Sequence, residues 1–125
     1  MKNKILKKQK RATGLHVFGE IHTKNLQNLK SPVKIKKSIS KIIKKRCLKE
    51  LGSFYHQFPG KGFTGIVCLV ESHIAIHTWP EFGCLTLDVY LCNYSKDNTE
   101  DCKKVFDEIS KIFQPQKIIK RLIQR

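Results

Sequence analysis

Eleven consecutive residues, 71–81 (ESHIAIHTWPE), concentrate the side chains of this chain that could do chemistry. They include one serine hydroxyl, two imidazoles, two carboxylates and the only tryptophan. A serine hydroxyl can attack the carbonyl of the preceding residue, because the ring that forms is small and closes with little loss of freedom. Ser72 could therefore attack the Glu71 carbonyl and convert the peptide bond between them into an ester.

The same stretch has the alternating pattern of a β-strand. Ile74 and Ile76 alternate with more polar positions such as His73 and His77, which gives a period of two. Pro80 closes the strand, because proline cannot donate to a sheet ladder and restricts the residue before it. The reactive groups therefore lie on a strand and just after it.

The two histidines of this strand do not predict a metal site. His73 and His77 share a face, but they lie about 13 Å apart at roughly 3.3 Å per residue. One metal ion with ligand bonds of about 2 Å cannot bridge that distance. We therefore expect no metal.

Four further segments extend the pattern over residues 14–92. They read GLH at 14–16, YHQF at 55–58, GFTG at 62–65 and DVYLC at 88–92. Together with residues 71–81, and in this order, they resemble the motifs of the bacterial and archaeal S-adenosylmethionine decarboxylases, which are self-cleaving, pyruvoyl-dependent enzymes. The stretch from Glu71 to Glu81 is the most specific part of this resemblance.

The resemblance implies that the chain is a proenzyme. Cleavage between Glu71 and Ser72 would give chains of 71 and 54 residues and turn Ser72 into a pyruvoyl group with loss of ammonia. This self-derived cofactor would form a Schiff base with a substrate amine and act as an electron sink for decarboxylation. The implied reaction on S-adenosylmethionine yields the aminopropyl donor for spermidine synthesis.

The resemblance also implies roles for five other residues. His77 matches the histidine that moves a proton during self-cleavage, and Thr64 stands where a serine assists processing by hydrogen bonding. Cys92 matches the cysteine that serves processing and returns a proton to the substrate carbon after carbon dioxide leaves. Glu81 corresponds to the carboxylate that binds the ribose hydroxyls, and Phe58 to the aromatic ring that stacks on adenine.

Taken singly, these residues have plainer interpretations. An isolated cysteine such as Cys92 is more often a small buried side chain than a catalyst. Phe58 would more often belong to a core, and Glu81 to a turn after Pro80. Their register with Ser72 is what favours the functional roles.

The sequence departs from the family pattern at three places. Leu15 stands in place of the usual arginine, Thr64 in place of serine, and residues 82–86 (FGCLT) where YGY followed by small residues is common. A pyruvoyl-dependent ornithine or arginine decarboxylase on the same scaffold is therefore the alternative to S-adenosylmethionine decarboxylation. A non-enzymatic, basic polyanion-binding protein is a distant third hypothesis.

Composition sets the remaining bounds. A chain of 125 residues has room for one domain, predicted at residues 14–125 after a basic flexible tail at residues 1–13. No apolar run could span a bilayer, and the tail lacks the apolar centre of a secretory signal. Five cysteines without a close pair indicate free thiols in a reducing compartment. We therefore predict a cytoplasmic protein without membrane association.

The net charge of +15 is concentrated at one end of the chain. Residues 1–50 carry 16 Lys or Arg against 2 Asp or Glu, whereas residues 51–125 carry 9 against 8. Most of the excess is lysine, whereas a phosphate-binding face more often uses arginine and exposed aromatic rings. We therefore predict weak attraction to polyanions and no specific nucleic-acid partner.

Capping and periodicity predict the first helix. Ser31 and Pro32 have the cap and first-turn preferences of a helix start. Apolar residues at helical spacing then predict a helix that continues through Cys47 and Leu51 and ends at Gly52.

The remaining elements complete a mixed fold. A second helix is predicted to follow Asn98 or Thr99 as cap and to stop at Pro115. The predicted strands lie at 16–21, 53–58, 65–70, 73–78, 84–92 and, as an edge strand, 117–123. This order predicts an α+β two-layer sandwich, with two helices on one face of an antiparallel sheet. The resemblance further implies a homodimer whose active sites use both protomers, and a small chain gains burial from such association.

Overall fold

The computed structural model of the chain describes residues 11–125, so most of the predicted tail at residues 1–13 lies outside the described part. The strands are β1 (Gly14–Thr23), β2 (Glu50–Gln57), β3 (Phe63–Leu69), β4 (Ser72–Trp79), β5 (Cys84–Cys92) and β6 (Pro115–Gln124). The helices are α1 (Gln27–Lys30), α2 (Pro32–Lys45) and α3 (Thr99–Ile112), and a 3₁₀ turn covers Pro80–Phe82.

The six described strands form one sheet in the order β2-β3-β4-β5-β1-β6, and every neighbouring pair is antiparallel. The helices pack on one side of this sheet, which confirms the predicted α+β two-layer sandwich. Strand β6 pairs only with β1 among these elements and most of its residues are exposed, so the predicted edge strand is also confirmed.

The core lies between the sheet and the two long helices. Alternate residues of the strands point into it, as in the fully buried run of Leu85, Leu87, Val89 and Leu91 on β5. Helix α2 buries isoleucines at helical spacing, and α3 buries its own apolar stripe. The α3 stripe consists of Cys102, Val105, Phe106 and Ile109.

Helix α2 begins where the sequence predicts and ends earlier. The Ser31 side chain accepts a hydrogen bond from the backbone of Val33, and Pro32 is the first helical residue. The prediction that the helix continues to Gly52 is wrong, because Cys47 adopts a left-handed conformation with φ of 57° just after Lys45 and its cap. Backbone bonds from Cys47 to Lys44 and from Leu48 to Ile43 then close the helix end.

This early end changes the position of two residues assigned to the inner helix face. Cys47 is exposed, and Leu51 is 67% exposed on β2. The chain must leave the helix layer here in order to enter the sheet as an edge strand. The short helix α1 before Ser31 was not predicted, since four residues carry too little periodicity to be recognised.

The second long helix also begins at the predicted position, but with a different cap. Asn98 precedes α3 without capping it through its side chain. Instead, the Asp97 carboxylate accepts a hydrogen bond of 2.9 Å from the Thr99 backbone. The helix ends at Ile112, and Pro115 opens the final strand.

The opposite side of the sheet, here called the open face, carries the strand residues that point away from the helices. Cross-strand register aligns Phe54, Ile66, Ala75, Asp88, Phe18 and Arg121 in one row across it. Several large apolar side chains are exposed there, including Phe54, Ile66 and Ile119. Three of the residues with predicted roles lie on this face, namely Thr64, His77 and Cys92. The other four lie at the start of a strand or just beyond a strand end, namely Glu71, Ser72, Phe58 and Glu81.

Candidate active site

The predicted cleavage site lies in a tight hairpin. Strands β3 and β4 are joined through Val70 and Glu71, and Leu69 pairs with Ser72, the first residue of β4. Ser72 is half-buried and has a φ of 96°. A side chain at positive φ is strained, typically by about 1–3 kcal/mol. Ser72 is therefore strained next to the bond that the sequence predicts to break.

Cys92 lies beside Ser72 on the neighbouring strand. Ser72 pairs with Leu91 of β5, and Cys92 is the next residue along that strand. Gly14 of β1 faces Cys92 in register, and a Cβ atom at Gly14 would lie only 2.6 Å from the Cys92 Cα. Strand β1 can therefore approach the cysteine this closely only with glycine at position 14.

The carboxylate of Glu71 is held by the segment that follows β5. It accepts hydrogen bonds from the Ser95 backbone N–H and from Nδ2 of Asn98, the latter at 2.9 Å. Burial raises the pKa of Glu71, but these bonds and the charge of Lys96 outweigh it, so the pKa lies below its usual value. Asn98 also donates to the Cys92 carbonyl at 2.8 Å. The structure thus joins Glu71 and Cys92 through one amide.

Thr64 and His77 form a pair at the other end of β4. They are in register across β3 and β4, and Thr64 Oγ1 lies 2.6 Å from His77 Nδ1. Which of the two atoms donates depends on the histidine tautomer. Both residues line a pocket of about 410 Å³, which also includes Phe58, Trp79 and Glu81.

The geometry of this pocket suits a ligand with an aromatic and a polar part. Phe58 and Trp79 are partly exposed aromatic rings, and Glu81 lies in the 3₁₀ turn between β4 and β5. Gly83 ends that turn with a φ of 62°, and its N–H donates to the Pro80 carbonyl at 3.1 Å. The pocket therefore brings together the two residues that sequence analysis assigned to substrate binding.

A buried hydroxyl fixes the pocket floor. Thr78 Oγ1 donates to the Leu29 carbonyl at 2.6 Å and accepts from the Phe63 backbone at 2.8 Å. Gly62 lies so close that a Cβ atom there would be 2.3 Å from the Thr78 carbonyl oxygen. The role of Thr78 was not predicted, because a threonine on a strand carries no local signal of such bonds.

The predicted site residues thus form two clusters rather than one. The cleavage cluster contains Glu71, Ser72 and Cys92, and the pocket cluster contains Thr64, His77, Phe58 and Glu81. From Ser72 to His77 the distance along β4 is about 16 Å at roughly 3.3 Å per residue. Within one protomer, His77 therefore does not reach the Glu71–Ser72 bond.

Aromatic and ionisable groups occupy the open face between the two clusters. The rings of His16 and Phe18 lie 4.7 Å apart between centroids, and His16 Nε2 is 3.8 Å from the Asp88 carboxylate. Burial lowers the pKa of His16, and Asp88 opposes that shift. The Arg125 guanidinium lies 4.5 Å from the centre of the Tyr90 ring. These groups give the open face a mixed polar and aromatic centre.

The described residues contain neither a candidate metal site nor a candidate membrane-spanning helix. Within residues 11–125, no group of three or more His, Cys, Asp or Glu side chains is arranged to hold a metal ion. None of the helices in this part of the chain has the length and apolar character that a membrane-spanning helix needs.

Comparison with known proteins assigns the sequence and the fold to one family. The sequence model described as S-adenosylmethionine decarboxylase matches residues 15–125. The S-adenosylmethionine decarboxylase proenzyme of Picrophilus torridus is 32% identical over 114 residues, which cover 91% of this chain and 85% of the relative. The proenzyme of the same name from Sulfurihydrogenibium sp. is 33% identical over 112 residues, covering 90% and 81%.

A solved structure agrees with the sequence relatives. The crystal structure of the adenosylmethionine decarboxylase from Aquifex aeolicus matches with a TM-score of 0.81 and 31% identity, over 93% of this chain and 92% of that chain. The chain therefore belongs to the S-adenosylmethionine decarboxylase family, and it is an enzyme of the decarboxylase class. The resemblance stated from the motifs is confirmed.

Proposed function

We propose that this chain is a proenzyme that cuts itself between Glu71 and Ser72 and then decarboxylates S-adenosylmethionine. The names of its relatives support both the proenzyme state and the substrate. The observation that carries the proposal is the strained backbone of Ser72, which has a φ of 96° and lies beside Cys92 in a tight hairpin. The product would be the aminopropyl donor used to make spermidine.

The proposed cleavage reaction consumes no reagent other than water. Ser72 Oγ attacks the Glu71 carbonyl carbon, the C–N bond breaks, and the hydroxyl proton is transferred to the freed amine, which leaves an ester. Loss of the α-proton of residue 72 then breaks its Cβ–O bond, and Glu71 leaves as a carboxylate. Water replaces the nitrogen, ammonia departs, and a pyruvoyl group remains. Residue 72 then has no peptide bond on its amino side, so the strain at its φ is released.

The residues around Ser72 fit a pyruvoyl group. When formed, this group supplies an electron sink for the electron pair that remains after carbon dioxide leaves. Cys92 is half-buried on the adjacent strand, where its thiol can deliver a proton to the substrate carbon. The turn at Glu71 is held by hydrogen bonds, which fixes the position of the reacting group before substrate arrives.

The pocket cluster favours a nucleoside substrate. Phe58 can stack on adenine, and the two oxygens of Glu81 can accept hydrogen bonds from the ribose diol. Ornithine and arginine have neither a base nor a diol, so both pocket residues would be left unused. The pocket and the relatives therefore support S-adenosylmethionine over the alternative amines.

We also propose that the working enzyme is a homodimer. The cleavage cluster and the pocket cluster lie at opposite ends of β4, and a two-fold axis through the open face would bring the cleavage cluster of one protomer to the pocket cluster of its partner. The exposed apolar residues of that face, such as Phe54 and Ile66, would be buried by the same contact. Each active site would then use residues from both protomers.

The other expectations are consistent with this proposal. We propose one catalytic domain at residues 14–125 that follows a basic tail, working in the cytoplasm, where thiols stay reduced. All five cysteines are free, in keeping with such a compartment. Helix α2 carries six lysines and lies on the side of the sheet opposite the open face, so weak attraction to polyanions need not involve the active site.

The central experiment measures both steps with one preparation. Intact mass spectrometry should show chains of 71 and 54 residues, before any removal of Met1, with a pyruvoyl group at the start of the shorter chain. Release of carbon dioxide is then compared for S-adenosylmethionine, ornithine and arginine. A chain that stays whole after prolonged incubation contradicts the proposal, and faster turnover of ornithine or arginine transfers it to the alternative substrate.

A further inference from the structure

We infer that Asn98 is a positioning residue that orients Glu71 for self-cleavage and then holds the new end of the first chain. The inference rests on the proposed cleavage after Glu71. Asn98 is 0% exposed and lies just before α3, far along the sequence from the hairpin. None of the sequence motifs includes it.

The side-chain amide of Asn98 makes two bonds that meet at the cleavage cluster. Its Nδ2 atom donates to Glu71 Oε2 at 2.9 Å and to the Cys92 carbonyl at 2.8 Å. Both partners can only accept hydrogen bonds. If the Asn98 amide were flipped, its Oδ1 atom would face two acceptors. One side chain therefore connects the residue before the scissile bond to the proposed proton donor's backbone.

The loop around Asn98 is folded to present this amide. The Asn98 backbone N–H donates to Asn93 Oδ1 at 2.7 Å, and the Ser95 N–H donates to the second oxygen of Glu71. The side chain of Asn98 does not cap α3, since Asp97 accepts the hydrogen bond from the Thr99 backbone N–H. The side-chain donors of Asn98 are thus directed to the cleavage cluster and not to the helix.

The second polar atom of Asn98 argues against a purely stabilising role. Its Oδ1 is buried and has no hydrogen-bond partner within residues 11–125. An unpaired buried acceptor lowers stability, and an apolar residue would avoid that loss. Such a residue would provide neither of the two bonds that Nδ2 makes. The two bonds that Nδ2 makes therefore explain why an asparagine occupies this position.

Cleavage changes what these bonds connect. Glu71 becomes the last residue of the first chain, whereas Ser95 and Asn98 belong to the second chain. The same hydrogen bonds then hold a free chain end beside Cys92, where an untethered end would fray. Asn98 thus acts before cleavage by orienting Glu71, and after cleavage by holding the new chain end at Glu71 beside Cys92.

The first test compares cleavage rates of two buried asparagine variants. Asn28 on α1 is a matched control, because its buried amide donates to the Ile112 carbonyl of α3 at 2.9 Å, away from the hairpin. Cleavage is started by refolding and followed by intact mass. We expect Asn98→Ala to slow cleavage at least about tenfold, and Asn28→Ala to stay within about threefold of the original chain.

The second test reverses the donor and the acceptor. Asn98→Asp sets a carboxylate against Glu71 and should cleave slowly. Adding Glu71→Gln gives position 71 an amide that can donate to the new carboxylate, so the double variant should cleave at least about fivefold faster than Asn98→Asp alone. A residue that supports the fold without contacting Glu71 would not show this rescue. The comparison also remains decisive if Asn98→Ala fails to fold.

The third test follows the cleaved protein. Carboxypeptidase should leave Glu71 in place in the original chain and in Asn28→Ala, and remove it from fully cleaved Asn98→Ala. An Asn98→Ala rate within about threefold of Asn28→Ala, absence of rescue in the double variant, or an intact Glu71 end in cleaved Asn98→Ala would each overturn the inference. An original chain that never cleaves contradicts the proposed function instead.

Discussion

Thr64 Oγ1 lies 2.6 Å from Nδ1 of His77, across the β3–β4 register of the open face. The contact occupies one ring nitrogen and fixes the ring plane, which leaves Nε2 as the nitrogen available for proton transfer. Thr64 differs from the serine of the family motif but keeps the hydroxyl that makes the contact. The processing role that the resemblance implies for His77, which in the proposed dimer would act on the scissile bond of the partner protomer, therefore depends on Thr64.

The first prediction tests this dependence. Thr64→Val keeps the shape of the side chain and removes the hydroxyl, so His77 loses its orienting partner. We expect self-cleavage to slow at least about tenfold, as for a misplaced acid–base group. Thr64→Ser should stay within about threefold of the original chain. Equal cleavage rates for the valine and serine variants, measured by intact mass, would show that the hydroxyl has no part in processing.

The second prediction concerns the strain at Ser72. Both Ser72→Ala and Ser72→Gly should remain uncut, because neither has a hydroxyl. Glycine accepts a φ of 96° without strain, whereas alanine does not. After allowing for the larger freedom of glycine in the unfolded chain, the glycine variant should be more stable by about 1 kcal/mol. Urea unfolding of the two uncut proteins measures this difference, and a less stable glycine variant would remove the argument from strain.

The third prediction concerns the proton returned to the substrate. Cys92→Ser, once cleaved, should release carbon dioxide slowly and misprotonate, because a serine hydroxyl is a far weaker acid than a thiol. Misprotonation transfers the substrate amine to the pyruvoyl group and inactivates the enzyme during turnover. Progress curves together with the mass of the shorter chain record both effects. An unchanged rate and lifetime would assign the proton donor to another residue.

The fourth prediction concerns the pocket. Phe58→Ala removes a stacking ring, a loss of about 1–3 kcal/mol per base, so kcat/KM for S-adenosylmethionine should fall roughly tenfold or more. Glu81→Gln keeps the shape of the side chain and should raise KM because the charged acceptor is lost. The matched control is Phe82→Ala. Phe82 follows Glu81 in the 3₁₀ turn, and its exposed ring does not line the pocket. Similar losses for Phe58→Ala and Phe82→Ala would contradict the stacking role.

The fifth prediction tests the division of the active site between protomers. Ser72→Ala removes the reacting group but keeps the pocket, whereas Glu81→Ala impairs the pocket but keeps the cleavage cluster. Each variant alone should have little activity. Co-expression should restore a measurable fraction, because a mixed dimer contains one site with both intact halves. Failure of a purified mixed dimer to recover activity would mean that each site is built within one chain.

Local sequence rules determined much of this protein. The alternation around Ile74 and Ile76 predicted the strand that carries the reactive groups, and Ser31 with Pro32 predicted the start of α2. These signals depend on backbone preferences within a few residues, so they hold before any tertiary contact forms. The order of strands and helices then predicted the two-layer α+β sandwich. The motif from Glu71 to Glu81 was sufficient to indicate the family.

The tertiary structure decided what depends on register and on contacts between distant residues. Strand pairing set Cys92 beside Ser72 and kept His77 at the far end of β4, although Ser72 and His77 belong to one sequence motif. Asn98 reached Glu71 only because the loop after β5 folds back over the hairpin. Periodicity predicts which face of the sheet or helix a residue lies on, but not which residue of another strand or loop it contacts. These contacts follow from the packing of the whole chain, which is why the hydrogen bond from Asn98 to Glu71 and the separation of the two clusters became visible only in three dimensions.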